Sequence, residues 1–192
     1  MIKKMRGFTL IELLIVVAII GILAALLVPN ALQALQKAKQ KSSMKEIMTV
    51  STGALDYITD NGDWSAAAQA GALAQGNDFI VALAPFYVKS VPVNDPWNTT
   101  YMVYVGTACS GIIGDVPDTE LGDEDFVIWS YGRAGVAGGG LSVDDYTISN
   151  PEATLFSVVS MESFKNDLAA WSGNWIVAPR STAADAAAST TP

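Results

Sequence analysis

The sequence predicts an α+β protein: a long N-terminal α-helix, membrane-spanning in its first half and amphipathic in its second, packed on a small antiparallel β-sheet with Gly-rich loops. Three observations carry this prediction. Residues 8–28 form an apolar run of 21 residues broken by one charge, and about 20 apolar residues span a bilayer core. Apolar side chains then recur mainly at three- and four-residue steps as far as Ile58, the period of an amphipathic helix. Beyond Gly62, short β-branched and aromatic runs alternate with Gly, Pro and Asp, which is the pattern of strands and turns.

The apolar run is too long for an ordinary secretory signal, whose apolar core is about 7–15 residues and ends at a small-residue cleavage site. Here Pro29-Asn30 follows instead. Lys3, Lys4 and Arg6 favour a cytoplasmic N-terminus. Glu12 is the anomaly. A charge near the bilayer centre costs roughly 2.5–3.5 kcal/mol on insertion scales, so a carboxylate kept there calls for a partner. Proline lacks the helix donor and clashes one turn back. Pro29, with Gly21 weakening the helix further, is therefore expected to kink or loosen it.

The second half of the helix shows Leu32, Leu35, Ala38, Met44, Ile47, Met48, Leu55 and Ile58, the stripe after residue 44 being expected to pack on the body. Asp60-Asn61-Gly62-Asp63 supplies turn chemistry, so the helix should end near Thr59. At 1.5 Å per residue its length is about 78 Å. Its first half has to be buried in lipid or against other copies, because one small domain cannot cover it. Lys37, Lys39, Lys41 and Lys45 form a basic neck. Two readings of the neck stand: a solvated face beside phospholipid headgroups, or pairing with the acidic bodies of neighbouring copies.

In the body, Phe79–Leu83 reads as a short helix or a buried strand. Thr99–Val105, Phe126–Ser130, Thr154–Ser160 and Asn174–Val177 read as strands. Residues 106–123 read as a loop. So do residues 132–140, which carry five glycines. The small, polar, aromatic-free stretch 181–192 is expected to be disordered. The organisation is thus a leader at 1–7, a transmembrane segment at 8–30, an amphipathic helix at 31–60, a body at 61–180 and a tail at 181–192.

Charge and composition exclude several functions. Residues 46–192 hold 18 acids against 4 bases, and the whole chain has a net charge of −8, which argues against a nucleic-acid partner. The chain has no histidine, which removes the commonest general base and metal imidazole. Cys109 is the single cysteine, so no internal disulfide forms and a cysteine nucleophile lacks its usual partner. The acidic stretch 115–125 reads as a solvated loop rather than a glycosidase carboxylate pair. The chain is not expected to be an enzyme, and a membrane-anchored binding protein or enzyme is the weaker alternative.

The basic leader, the Gly7-Phe8 junction, Glu12 as the fifth residue after the junction and the apolar stretch to Pro29 resemble the N-terminus of type IV pilins and type II secretion pseudopilins. The resemblance implies cleavage between Gly7 and Phe8 by a prepilin peptidase and N-methylation of Phe8. It also implies that Glu12 pairs with the Phe8 amine of a neighbouring subunit during assembly. An ammonium brought by that subunit would remove the cost of the buried carboxylate. The segment between Gly21 and Pro29 becomes partly extended in related filaments; a passive kink at Pro29 is the other reading.

Val91-Pro92, Asp95-Pro96-Trp97-Asn98, Tyr101 and Tyr104, followed by Asp125 and Ser130-Tyr131-Gly132 with its Gly-rich turn, are similar to major pseudopilins. In that family the turn commonly holds a calcium ion, which needs six to eight oxygen ligands. Asp125, Asp144 and Asp145 are the candidates here, although Ala134 stands where the family has an aspartate. An ordinary acidic, Gly-rich loop on a solvated face is the other reading. The resemblance implies a homopolymeric filament of a secretion system, with a surface pilus subunit as the alternative. Its implied partners are further copies of the chain, minor pseudopilins or pilins, the peptidase, an inner-membrane assembly platform and the inner membrane. The implied location is the inner membrane, single-pass with a cytoplasmic N-terminus and a periplasmic body, then a periplasmic filament, extracellular for a pilus. Residues 151–192 exceed the usual tail of the family.

Overall fold

The computed structural model describes residues 8–180. The predicted leader 1–7 and tail 181–192 lie outside them. The chain divides into two units, Met1–Lys37 and Ala38–Pro192. Helix α1, Leu10–Asn61, is 52 residues long, enters both units and runs through Gly21 and Pro29 without a break in the helix. It ends two residues beyond the expected Thr59, where Gly62 at φ +88° takes a backbone conformation that favours glycine.

In the second unit, α1 buries Gln40, Ser43, Ile47, Val50, Ala54 and Tyr57, alternating steps of three and four residues along one stripe. This stripe is offset from the expected one. Ile47 lies on it, whereas Leu55 remains 42% exposed and Met44 and Ile58 pack only at its edge. The reason is close approach. Ser43, Ser51, Gly53 and Ala54 are small and buried, so the body can come nearer to the helix than it could to a ridge of leucines. Ser43 Oγ lies 3.1 Å from the Tyr101 hydroxyl, and that hydroxyl donates to Glu46 at 2.8 Å.

The sheet contains β1 (Ala70–Ala72), β2 (Met102–Val105), β3 (Phe126–Ser130), β4 (Leu155–Phe156), β5 (Leu168–Trp171) and β6 (Asn174–Pro179), in the order β1-β2-β3-β5-β6-β4. Every pairing is antiparallel except β4 with β6, which is parallel. Central β3 matches its predicted limits and all five of its residues are buried, as its uninterrupted apolar run requires. The predicted strand 99–105 is regular only from Met102, with an isolated bridge between Thr100 and Asn94 before it. The predicted strand 154–160 narrows to Leu155–Phe156, and 174–177 extends to Pro179. Residues 78–83 form a short helix, α2.

Two strands are additional to the prediction. β1 has the sequence Ala-Gly-Ala, which carries no strand preference; it exists through pairing with β2. β5 is joined to β6 by Ser172 (φ +43°) and Gly173 (φ +83°). Two positive φ values in a two-residue connection match the twist of a tight hairpin.

The core gathers Trp64, Phe79, Leu83, Val103, Phe126, Ile128 and Leu168 beneath the second half of α1. Trp64 is its aromatic hub, stacked on Tyr57 at 5.2 Å and edge-on to Phe126 at 5.7 Å. Cys109 is fully buried beside them. Burial, aided by the charge of Asp125, pushes its thiol up to about 12.

A Cβ added at Gly53 would collide with the Val88 side chain, whereas nothing lies within 4 Å of Gly21. Gly53→Leu should therefore cost about 1–3 kcal/mol by overpacking and lower the melting temperature of the full chain in detergent by several degrees. Gly21→Leu should leave it unchanged, both read by near-ultraviolet circular dichroism. In the folded protein at pH 8, Cys109 should resist a thiol reagent that labels it at once after unfolding; comparable rates in both states would contradict the buried, protonated thiol.

Candidate functional site

The predicted assembly residues sit at the start of α1. Thr9 precedes the first helical residue, and its side-chain oxygen accepts from the Glu12 amide at 3.3 Å. Glu12 Oε2 accepts in return from the Thr9 amide at 2.9 Å and from the Thr9 hydroxyl at 2.6 Å. This is a reciprocal capping box, in which two of the otherwise unpaired amides of a helix start are satisfied. A carboxylate there also meets the positive end of the helix dipole. Thr9-Leu10-Ile11-Glu12 has the Thr-x-x-Glu spacing of that motif, a signal in the sequence that the reading of Glu12 as a lone charge passes over. Both contacts to Glu12 fall on Oε2. Phe8 beside it is 80% exposed. Gly7, the residue before the expected cleavage point, is outside the described residues.

Large apolar side chains are exposed from Phe8 through Leu35, including Leu10 at 82%, Ile22 at 66% and Leu26 at 66%. α1 is long and apolar enough to cross a membrane, and none of its most apolar 18-residue window is buried. Beside Pro29, the Asn30 side-chain amide donates to the Leu26 carbonyl at 3.3 Å. On the neck, Lys37, Lys41 and Lys45 are exposed at four-residue intervals, so they share one face of the helix.

In the body, the Asp-Pro-Trp-Asn tract is a turn held by Asp95. Its Oδ1 accepts from the amides of Trp97 at 2.9 Å and Thr99 at 2.8 Å, and its Oδ2 accepts from the Ser130 hydroxyl at 2.5 Å. Ser130 Oγ accepts in turn from the Gly132 amide at 3.0 Å. Asp95 is 5% exposed. Burial raises its carboxyl pKa, against the lowering effect of these three donors. The family-like motif is therefore a network that ties a turn to the end of β3.

The three calcium candidates are placed differently. Asp125 Oδ1 accepts from Trp171 Nε1 at 2.8 Å and Ser172 Oγ at 2.7 Å, and its Oδ2 accepts from the Gly122 amide at 2.8 Å. Asp125 thus fastens the start of β3 to the β5–β6 hairpin. Asp145 Oδ2 accepts from the amide and hydroxyl of Ser142 at 2.8 and 3.1 Å. Asp144 is exposed. Among the described residues, no three or more Asp, Glu, His or Cys side chains come together in a group that could hold a metal. The expected ligands do not form a common site: Asp125 is taken up by the hairpin and Asp145 by its own turn.

Comparison with known proteins agrees with this geometry at the N-terminus. The prokaryotic N-terminal methylation motif matches residues 2–28. The type II secretion system core protein G of Escherichia coli K12 is 32% identical over 130 residues, covering 64% of this chain and 88% of that protein. The protein of the same name from Vibrio cholerae is 30% identical over 161 residues, 77% of this chain and 98% of that one. The type IV major pilin protein PilA of Myxococcus xanthus is 42% identical, but over 60 residues that cover 27% of its length. No solved structure matches. With identity of this level along nearly the whole length of such relatives, the chain belongs to the type II secretion system core protein G family.

Proposed function

We propose that the chain is the structural subunit of a type II secretion pseudopilus, polymerising through the first half of α1 to support export of folded proteins across the outer membrane. Its membership of the core protein G family carries this reading. The exposed apolar surface from Phe8 to Leu35, with one carboxylate at its start, supports it physically. Such a surface is stable in lipid or against further copies of itself. The prepilin peptidase would remove residues 1–7 and leave Phe8 as an N-methylated amine. Glu12 would then exchange its capping contacts for the Phe8 ammonium of a neighbour, and a carboxylate–ammonium pair in an apolar surround sets register. Before assembly the helix spans the inner membrane once, with its N-terminus cytoplasmic and its body periplasmic. Lys37, Lys41 and Lys45 would meet the acidic bodies of adjacent subunits. Minor pseudopilins and an inner-membrane platform complete the assembly. The chain works mechanically, and a cytoplasmic ATPase supplies the energy.

A strain lacking the gene should retain folded exoproteins in its periplasm, measured by comparing its secreted-protein profile with that of its parent. Unchanged secretion would shift the reading to a surface pilus subunit, which the similarity to the Myxococcus pilin also favours. Glu12→Gln keeps an oxygen acceptor for Thr9 but removes the charge. It should leave insertion and processing intact and reduce sheared filaments at least about tenfold, the scale of losing a few kcal/mol of paired charge. Filament yield equal to wild type in Glu12→Gln, with loss only in Glu12→Ala, would assign Glu12 to helix capping alone.

A further inference from the structure

The Gly-rich loop after β3 leans on a part of the chain for which the functional reading has no use. Two of its five glycines, Gly132 and Gly140, are pressed against residues 164–166. Gly132 sits at φ +56°, and a Cβ there would run into the carbonyl oxygen of Asn166 and lie 2.8 Å from that of Phe164. A Cβ at Gly140 would collide with the Asn166 side chain and come within 2.9 Å of its backbone nitrogen. Hydrogen bonds then fasten the far end of the loop. The Leu141 amide donates to Asn166 Oδ1 at 3.0 Å, and the Asp167 amide donates to the Leu141 carbonyl at 2.8 Å. The Val143 amide donates to the Asp167 carboxyl group. At the near end, Arg133 Nη1 donates to the Met161 carbonyl at 3.2 Å. Phe164 and Asp167 are 1% and 2% exposed, so the clasp is seated in the body rather than laid on its surface.

We propose that the segment Met161–Asp167 is a built-in clasp that fixes the Gly-rich loop, residues 132–146, in place of the calcium ion expected there, so that the body reaches its folded shape without a metal. The clasp restrains the loop by contacts within the chain itself. The Leu141 amide is satisfied by Asn166 and the Val143 amide by the Asp167 carboxyl, while the Asp167 amide binds the Leu141 carbonyl. Arg133 supplies a positive charge from the chain itself, on the residue just before Ala134, where an aspartate was expected. The glycines allow two backbone segments to meet with no side chain between them. The clasp also gives a purpose to the chain beyond residue 151. That segment delivers residues 161–167 to the loop and then enters β5, whose first residue, Leu168, pairs with Ser130 at the end of β3.

Equilibrium dialysis of the full-length wild-type chain in detergent against radioactive calcium tests this directly, alongside thermal unfolding in a chelator and in millimolar calcium. The expected result is no stoichiometric calcium and the same melting temperature in both buffers. One bound ion per chain, or a melting temperature several degrees lower in chelator, would overturn the clasp. Asp167→Asn keeps an oxygen for the Val143 amide and should melt close to wild type, whereas Asn166→Ala should melt several degrees lower in either buffer. Rescue of Asn166→Ala by calcium, or an Asp167→Asn variant that loses bound calcium, would overturn it as well. These readouts are independent of secretion and of filament formation.

Discussion

The apolar surface from Phe8 to Leu35 is the constraint on which the rest depends. Its side chains are exposed in the single chain, and leaving a Leu or Ile side chain in water forgoes roughly 1.5–3 kcal/mol each relative to burial. Such a helix has two stable surroundings, lipid and other helices like it. A carboxylate at its start has to be acceptable in both. The capping box with Thr9 makes Glu12 tolerable in the lone subunit by giving one of its oxygens two donors. In the assembly proposed above, a neighbour's ammonium would make it favourable. Both capping contacts fall on Oε2, and in the proposed assembly the side chain would exchange them for that ammonium.

The second half of α1 answers a different demand. Its buried stripe mixes apolar residues such as Ile47, Val50 and Tyr57 with the small polar Ser43, and it forms one wall of the core. Small residues do this by proximity: Gly53 lies against Val88, and Ser43 meets the Tyr101 hydroxyl, which also bonds Glu46. Close backbone approach replaces bulk, and the buried Ser43 hydroxyl is acceptable because it meets that of Tyr101. The body beneath uses its acidic residues in the same manner. Asp95 and Asp125 each collect three donors, joining a turn to β3 and β3 to a hairpin. In a chain with a single cysteine, these carboxylate-centred nodes and the contacts of residues 161–167 hold loops that a disulfide would hold elsewhere.

Much was legible in the residues alone: the extent of α1 and the limits of β3. These are local or strongly patterned features. A long apolar run, a turn cluster at Asp60-Asn61-Gly62 and a β-branched run between loops each specify their own structure. What the sequence left hidden depended on partners far along the chain. Ala-Gly-Ala at 70–72 becomes a strand because Met102–Tyr104 lies beside it. The buried stripe of α1 runs through Ser43 because the body offers the Tyr101 hydroxyl there, which hydropathy does not record. Asp125 and Asp145 carry the right chemistry for a hard cation, but chemistry without position does not make a site. Whether two carboxylates separated by a strand and a loop meet is settled by the packing of β3 against β5. The sequence determined by itself that the first helix must seek lipid or its own kind, because twenty-odd apolar residues allow nothing else in water. Only the tertiary structure decided how the Gly-rich loop is held, because its fasteners at 161–167 lie some thirty residues away and meet it through pairing of β3 with β5.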